Sequence, residues 1–447
     1  MAGLSGSSAI LAGARQRVGW ALVPVAALWL GVLWADYGGR APQTATSPPA
    51  AAPVLQAIAA SGEPSPAGGS FDRFDIDGRA VAAATNRRGD VVFFATLLRS
   101  PADEGLFLAG GSGIAKLAAV GDAVPSGERI AGFGERPAVA LNEPGAVAFA
   151  AALTGGKATS GVFVAQKEKI VAVALSGAAA PDIAGATLAQ FEPPALNDVG
   201  EVAFLAATRR GREAGEAIYL QRRGQLVKLA GSGDAAPGGG IFSSFGSPSL
   251  NNKGEVAFAA IVEQGPVLGG VFMGGGNDIH LVLGVGSASP SGGIFARFSE
   301  RLELNDAGTI ALSAVLRNGG PNAAVFVIEN DTPRALAAIG DPAPGGGNFA
   351  AFASWPALSQ VGSVAFIASV DGGPNALALY CANRGDGLTR VAAIGDPLPD
   401  NARLAAFPLY PAAAIGGQDA VTFAAAAERD GTRTATLFYY GPPRGKR

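Results

Sequence analysis

From residue 54 to residue 441 the chain alternates short apolar runs with polar turns. Pro194-Ala195-Leu196 is apolar, Asn197-Asp198-Val199-Gly200-Glu201 is a largely polar turn, and Val202-Ala203-Phe204-Leu205-Ala206 is apolar again at every position. A strand facing water on one side reads apolar at every second residue, whereas an unbroken run belongs to a strand covered on both faces. Each pair of runs therefore predicts a hairpin buried on both sides. The turn chemistry agrees: Asn bonds backbone two residues on, and Gly supplies the left-handed residue that closes the loop.

The unit reads Asn-x-x-Gly-x-x-x-Phe and recurs as Asn86/Gly89/Phe93, Asn142/Gly145/Phe149, Asn197/Gly200/Phe204 and Asn251/Gly254/Phe258. Weaker copies follow at Asn305/Gly308/Leu312, Ser359/Gly362/Phe366 and Gly416/Asp419/Phe423. Successive closing positions lie 56, 55, 54, 54, 54 and 57 residues apart, a period that means a solenoid, propeller or array. Between hairpins comes a strand, a turn, another strand and then Gly-Asp-x-x-Pro, as at Gly121–Pro125, Gly233–Pro237, Gly340–Pro344 and Gly395–Pro399. Partial copies begin at Gly62, Gly177 and Gly286.

Each period thus holds four strands, the content of a propeller blade, and the expectation is an all-β propeller of about seven blades. In the third period the strands fall at Pro194–Leu196, Glu201–Ala207, Ala217–Gln221 and Gln225–Ala230. A Phe recurring after each Gly-Asp turn (Phe74, Phe133, Phe191, Phe245, Phe298, Phe352, Phe407) is expected to wedge between blades. The chain ends after a third-strand segment, Thr434–Tyr440, so the missing outer strand is expected from the start, at Val54–Ala60. That exchange closes the ring, removes its sheet edges and is expected to bury Val54, Leu55 and Ile58.

The in-register motif over residues 54 to 441, with Ala before Phe at Asn142–Phe149, Asn197–Phe204 and Asn251–Phe258, resembles that of bacterial exported tandem-repeat proteins of the NxxGxxAF family. The resemblance implies a propeller-like fold and an extracytoplasmic address. It carries over no catalytic or ligand residue.

The rest of the chain reads as appendages. Residues 1–17 are basic, and 18–35 (VGWALVPVAALWLGVLWA) are uncharged and just long enough to span a bilayer. With arginines before the run and Asp36 after it, the expectation is an uncleaved transmembrane anchor with its amino end in the cytoplasm. Residues 36–53 form a Pro/Ala/Thr-rich linker, 54–441 the propeller, and 442–447 a basic tail. The repeat domain is then held by the membrane through residues 18–35, in the periplasm or at the cell surface.

Composition narrows the chemistry. With 15% charged residues and net charge −3, the chain lacks the basic excess of a nucleic-acid protein. One Cys (Cys381) rules out an internal disulfide framework, and one His (His280) argues against a histidine-rich metal site or a Ser-His-Asp triad. No cofactor, metal or catalytic residue is assigned. The candidate ligand-binding residues are the acids of the Gly-acid turns (Glu63, Asp122, Asp234, Asp341 and Asp396), expected on one face of the ring, where each also serves as the cap of its own turn. Arg209, Arg210 and Arg212, expected in a long loop on that face, break the repeat. The functional expectation is a non-enzymatic binding or scaffold domain for an envelope protein or a glycan. The alternative is a polysaccharide-acting hydrolase or lyase that uses Asp and Glu as acid and base. Two or three acids at non-repeating positions in the channel mouth would favour the enzyme.

Overall fold

Among the described residues seven five-stranded antiparallel sheets follow one another along the chain, each built on the same plan, with one small two-stranded hairpin, Asp75–Ile76 and Arg79–Ala80, beside the first. The computed structural model describes residues 53–444 except 77–78, 81–82, 135–137, 168, 277, 354, 386 and 410. The basic amino-terminal segment, the expected anchor at 18–35, nearly all of the linker and the last three residues of the tail lie outside the described residues. No helix among the described residues is long and apolar enough to cross a membrane.

Blade 3 shows the plan. Its first strand comes in two pieces, Thr187–Phe191 and Ala195–Leu196, both paired with the second strand Val202–Arg210. The third strand is Glu213–Arg222 and the outer strand Gln225–Gly231. The split was not expected. In blades 3 to 6 the recurring Phe closes the first piece as a strand residue, Phe191 pairing with Ala206 and Phe245 with Ala260, whereas Phe74, Phe133 and Phe407 lie outside the strands. The wedge itself is present: Phe133 sits 4.9 Å from Phe94 of blade 1 and 6.0 Å from Phe149 of its own blade.

Blade 7 closes the ring. Its strands Arg403–Ala406 with Ala413–Ile415, Val421–Arg429 and Thr432–Gly441 are completed by Val54–Ala60, with Val54 opposite Gly441 and Ala60 opposite Thr436. The side chains that close it differ from expectation. Ala59 is the buried residue, while Leu55 and Ile58 are half-buried and Val54 is 38% exposed.

The core is distributed as this plan requires. Seven hydrophobic clusters occur, and each joins two neighbouring blades. One combines Val271 and Val282 of blade 4 with Phe295, Leu304 and Phe326 of blade 5. Another combines Ala59, Leu437 and Tyr439 of blade 7 with Phe71, Phe93 and Phe107 of blade 1. No blade shelters its own faces, which is why the runs are apolar at every position. The weak repeats are full blades: Leu312 fills the Phe site fully buried, and in blade 7 a 3-10 turn at Gly417–Asp419 replaces the Asn turn.

The motif asparagines do more than shape their turns. Asn251 is 1% exposed; its Oδ1 accepts the amides of Lys253 (3.1 Å) and Glu255 (3.0 Å). Its Nδ2 donates to the backbone oxygen of Asn305 in the next blade (3.2 Å). The same inter-blade bond runs from Asn86 to Asn142 O (3.4 Å), Asn142 to Asn197 O (3.0 Å), Asn197 to Asn251 O (3.1 Å) and Asn305 to Ser359 O (3.3 Å). A second ring lies beside it, in which the amides of Arg87, Glu143, Asp198, Asn252 and Asp306 donate to the side-chain oxygens of Glu143, Asp198, Asn252, Asp306 and Gln360 respectively.

Candidate functional site in the central channel

The second pieces of the seven first strands surround a channel with a cavity volume of about 200 Å³. Their period-2 pattern decides what faces it. Two residues before the turn Asn stand Ala84, Ala140, Ala195, Ser249, Glu303, Ala357 and Ala414, all in the channel wall. Six are small, so Glu303 is the departure. Two residues further back the wall carries Pro193, Ser247, Arg301 and Trp355. At these two positions blades 5 and 6 thus place a carboxylate, a guanidinium and an indole where the other copies in the wall carry Ala, Pro or Ser.

Arg301 meets both of the others. Arg301 Nε donates to Glu303 Oε1 at 3.0 Å, and the Arg301 guanidinium carbon lies 5.6 Å from the centre of the Trp355 ring. The guanidinium is about a quarter exposed, and no acceptor meets its Nη1 or Nη2 among the described residues. The parallel pairing of Ser247 with Arg301 fixes the strand entry beneath it. The arrangement offers an aromatic face, two free donors and one carboxylate. That is binding chemistry for a hydroxylated ligand.

The other carboxylates of the channel are committed. Glu143 Oε1 accepts the Arg87 amide (2.8 Å) and pairs with Arg87 Nε (3.2 Å). Asn252 Nδ2 bridges Asp198 Oδ2 (2.9 Å) and Asp306 Oδ2 (2.8 Å), while Oδ1 of each acid accepts the amide of the preceding blade. These acids stand at a repeating position and hold blade to blade. Among the described residues Glu303 is the one acid of the channel wall at a non-repeating position.

The candidates named from the sequence occupy a different place, one per blade. Glu63, Asp122, Asp341 and Asp396 each accept the amide three residues back, from Ala60 (3.0 Å), Ala119 (2.9 Å), Ala338 (2.9 Å) and Ala393 (2.8 Å). Asp122, Asp234 and Asp396 also pair with a base six residues back, Lys116 (3.0 Å), Lys228 (2.9 Å) and Arg390 (2.8 Å). Four of the five acids thus cap their turns, and among the described residues no three His, Cys, Asp or Glu side chains group as metal ligands. The segment with Arg209, Arg210 and Arg212 is not a long loop. The two strands run to Arg210 and from Glu213, leaving a two-residue turn, because Gly211 takes φ +60° and Arg210 pairs with Glu213 across it (3.0 Å). This hairpin stands beside the crossover strand, with Arg209 opposite Thr187. His280 is exposed and lies 4.0 Å from Asp331.

Sequence reasoning passed over Arg301, Glu303 and Trp355. The signal was available: in the aligned repeats they are large or charged where the other copies are Ala, Pro or Ser.

Among solved structures the chain is similar to a puromycin hydrolase (14% identity, TM-score 0.47), covering 81% of this chain and 53% of that one. It is similar to the polysaccharide lyase Uly1 (10%, TM-score 0.47; 83% and 91%) and to the Trypanosoma rangeli sialidase (10%, TM-score 0.35; 87% and 59%). The chain spans about half the length of the puromycin hydrolase it matches. No curated protein sequence matches the chain. One family model matches twice in succession, over residues 48–267 and 264–437, and its description is a family of unknown function, DUF7453.

Proposed function

The chain belongs to the DUF7453 family of unknown function, and from that premise we propose that it is a non-enzymatic binding domain whose ligand, a glycan, enters the channel beside Trp355. The observation that carries this reading is the Arg301–Glu303–Trp355 group at wall positions where the other blades carry small residues. A sugar presents an apolar C–H face to an indole, and its hydroxyls suit a guanidinium donor and a carboxylate acceptor. The address belongs to the same proposal. The uncharged run 18–35 tethers the ring at the cell envelope, and the motif series supports kinship with the exported NxxGxxAF repeat proteins.

The rival reading, a polysaccharide hydrolase or lyase, needs a second catalytic group. Glycoside hydrolysis ordinarily uses two carboxylates about 5–10 Å apart. Glu143 and Asp198 are engaged with backbone amides, and Glu303 is already paired with Arg301. These commitments support binding over turnover.

The test is a glycan screen with the full chain, followed by titration of each hit against the Trp355→Ala and Arg301→Ala variants. Each substitution is expected to weaken binding at least about tenfold, the loss of ~1.4 kcal/mol. A screen without hits, or hits indifferent to both substitutions, overturns the proposal. Release of new reducing or unsaturated sugar ends would establish the rival.

A further inference from the structure

The seam between blades 3 and 4 contains a filled arginine socket. Arg222, at the end of the third strand of blade 3, donates from Nε to Glu201 Oε1 and from Nη2 to the backbone oxygen of Gly254 in blade 4 (3.1 Å). Glu201 Oε2 is held by Asn197 Nδ2 (2.9 Å). Gly254 is buried, and a methyl group on its Cα would run into the guanidinium.

The seam between blades 4 and 5 repeats the acceptors without the arginine. Glu255 stands where Glu201 does, its Oε2 held in the same way by Asn251 Nδ2 (2.7 Å), and no donor meets its Oε1 among the described residues. Gly308 takes the place of Gly254; it has the same left-handed backbone (φ +84°) and nothing within 4 Å of a methyl group built on it. In the repeat, Gly275 replaces Arg222. A groove of about 240 Å³ opens here, floored by Met273, Val282, Ile310 and Ile328. Its charged and titratable rim is Lys253, Glu255, His280 and Asp331. Two carboxylates thus face one ammonium. Lys253 stands at the position of Arg88, which pairs with Asp90 in blade 1 (3.0 Å), yet among the described residues Lys253 makes no ion pair.

We propose that this groove receives an arginine side chain from a partner polypeptide, its guanidinium bonding to Glu255 and Gly308 as Arg222 bonds to Glu201 and Gly254, its stem lying on the apolar floor. A planar fork meets a carboxylate and a carbonyl together in a way that an ammonium does not, so arginine is favoured over lysine.

Met273 and His280 report directly on the groove, because the chain contains one histidine and, apart from Met1, one methionine. The full chain carrying ¹³C-methyl methionine is titrated with N-acetyl-arginine amide, then with the citrulline and lysine analogues; Met273→Leu identifies the signal. The arginine probe is expected to shift the Met273 methyl and the His280 ring protons. The citrulline and lysine probes should need at least about tenfold more ligand. Glu255→Gln should weaken the response comparably, and Gly275→Arg should abolish it by filling the socket from within. No shift with the arginine probe, an equal shift with citrulline, or an unchanged response in Glu255→Gln overturns the inference. Should Gly275→Arg fail to fold, Glu255→Gln still decides. The channel is on different residues, so failure here leaves the glycan reading untouched.

Discussion

Replacing Asn251 by Ala tests the inter-blade bonds at their most complete position. The side chain makes four hydrogen bonds: Oδ1 accepts from Lys253 N and Glu255 N, and Nδ2 donates to Glu255 Oε2 and Asn305 O. Alanine leaves the two turn amides and the Asn305 oxygen without these partners. A buried polar group stripped of its partner costs about 1–3 kcal/mol, and part of the Lys253 side of the turn is open to water. Asn305 O keeps the Gly308 amide (3.0 Å), so Glu255 N counted in full plus one lost inter-blade bond of about 0.5–1.5 kcal/mol gives ~1.5–4.5 kcal/mol for the variant. Asn251→Ser copies blade 6, where Ser359 Oγ accepts the Ser363 amide at 3.0 Å. Serine keeps that turn bond and loses the inter-blade one, so its cost is smaller, about 1–2 kcal/mol. Urea unfolding followed by circular dichroism measures both, with unchanged m-values confirming that the same surface unfolds. The expected order is wild type, then Ser, then Ala. An Ala variant within about 0.5 kcal/mol of wild type would refute the idea that these asparagines hold blades together, because that is the scatter of inert surface changes.

Further outcomes follow from particular residues. Gly347→Ala is expected to cost at least ~2 kcal/mol in the same assay, because the position has φ +82° and a Cβ would lie 2.5 Å from Asp371 O. Asp396→Ala removes the bond from Ala393 N and the pair with Arg390, so it should lower stability by about 1 kcal/mol while leaving ligand affinity unchanged; lost affinity instead would assign the turn acids a binding role. Burial, with a further contribution from Asp419, pushes the Cys381 thiol up to about 12. The unfolded chain therefore ionises this group first, its share of stability is lost as pH rises above the ordinary thiol range, and labelling at pH 8 should proceed at the unfolding rate. A bond from Ser126, with backbone amides including that of Ala158, holds the Glu128 carboxyl below its ordinary value. Its contribution is present above the ordinary carboxylate range and is lost as pH falls through the lowered value; Glu128→Gln should flatten that acid limb in pH-dependent melting.

The sequence made the ring legible because a propeller repeats its chemistry. Asn for the turn, Gly for the left-handed residue and Phe for the seam recur near every 55 residues, and even the strand exchange at Val54–Ala60 could be placed from which strand was missing. What stayed hidden was geometric. The break in the first strand is marked in several copies by Pro, as at Pro193-Pro194, Pro248 and Pro356, but Pro alone does not show that the pieces on either side of it, such as Thr187–Phe191 and Ala195–Leu196, pair with the same second strand. The bond from Asn251 to Asn305 joins residues 54 positions apart, and a residue chosen for its turn gives no sign of a second partner. The site was hidden for the opposite reason. Attention to what repeats selects Asp122 or Asp396, whose roles are local. Arg301, Glu303 and Trp355 are visible only as departures once the strands are aligned on the channel.

The account depends on a circle of mutually sheltering blades clasped by the pairing of Val54–Ala60 with Thr432–Gly441. The most direct measurement compares urea unfolding of a chain that begins at Pro53 with one that begins at Ser61, both lacking residues 1–52. Removing the strand opens blade 7 along its whole edge, so the shorter chain is expected to lose the single cooperative transition and to unfold at lower denaturant over a broader range. Identical midpoints and slopes for the two chains would contradict the closed ring.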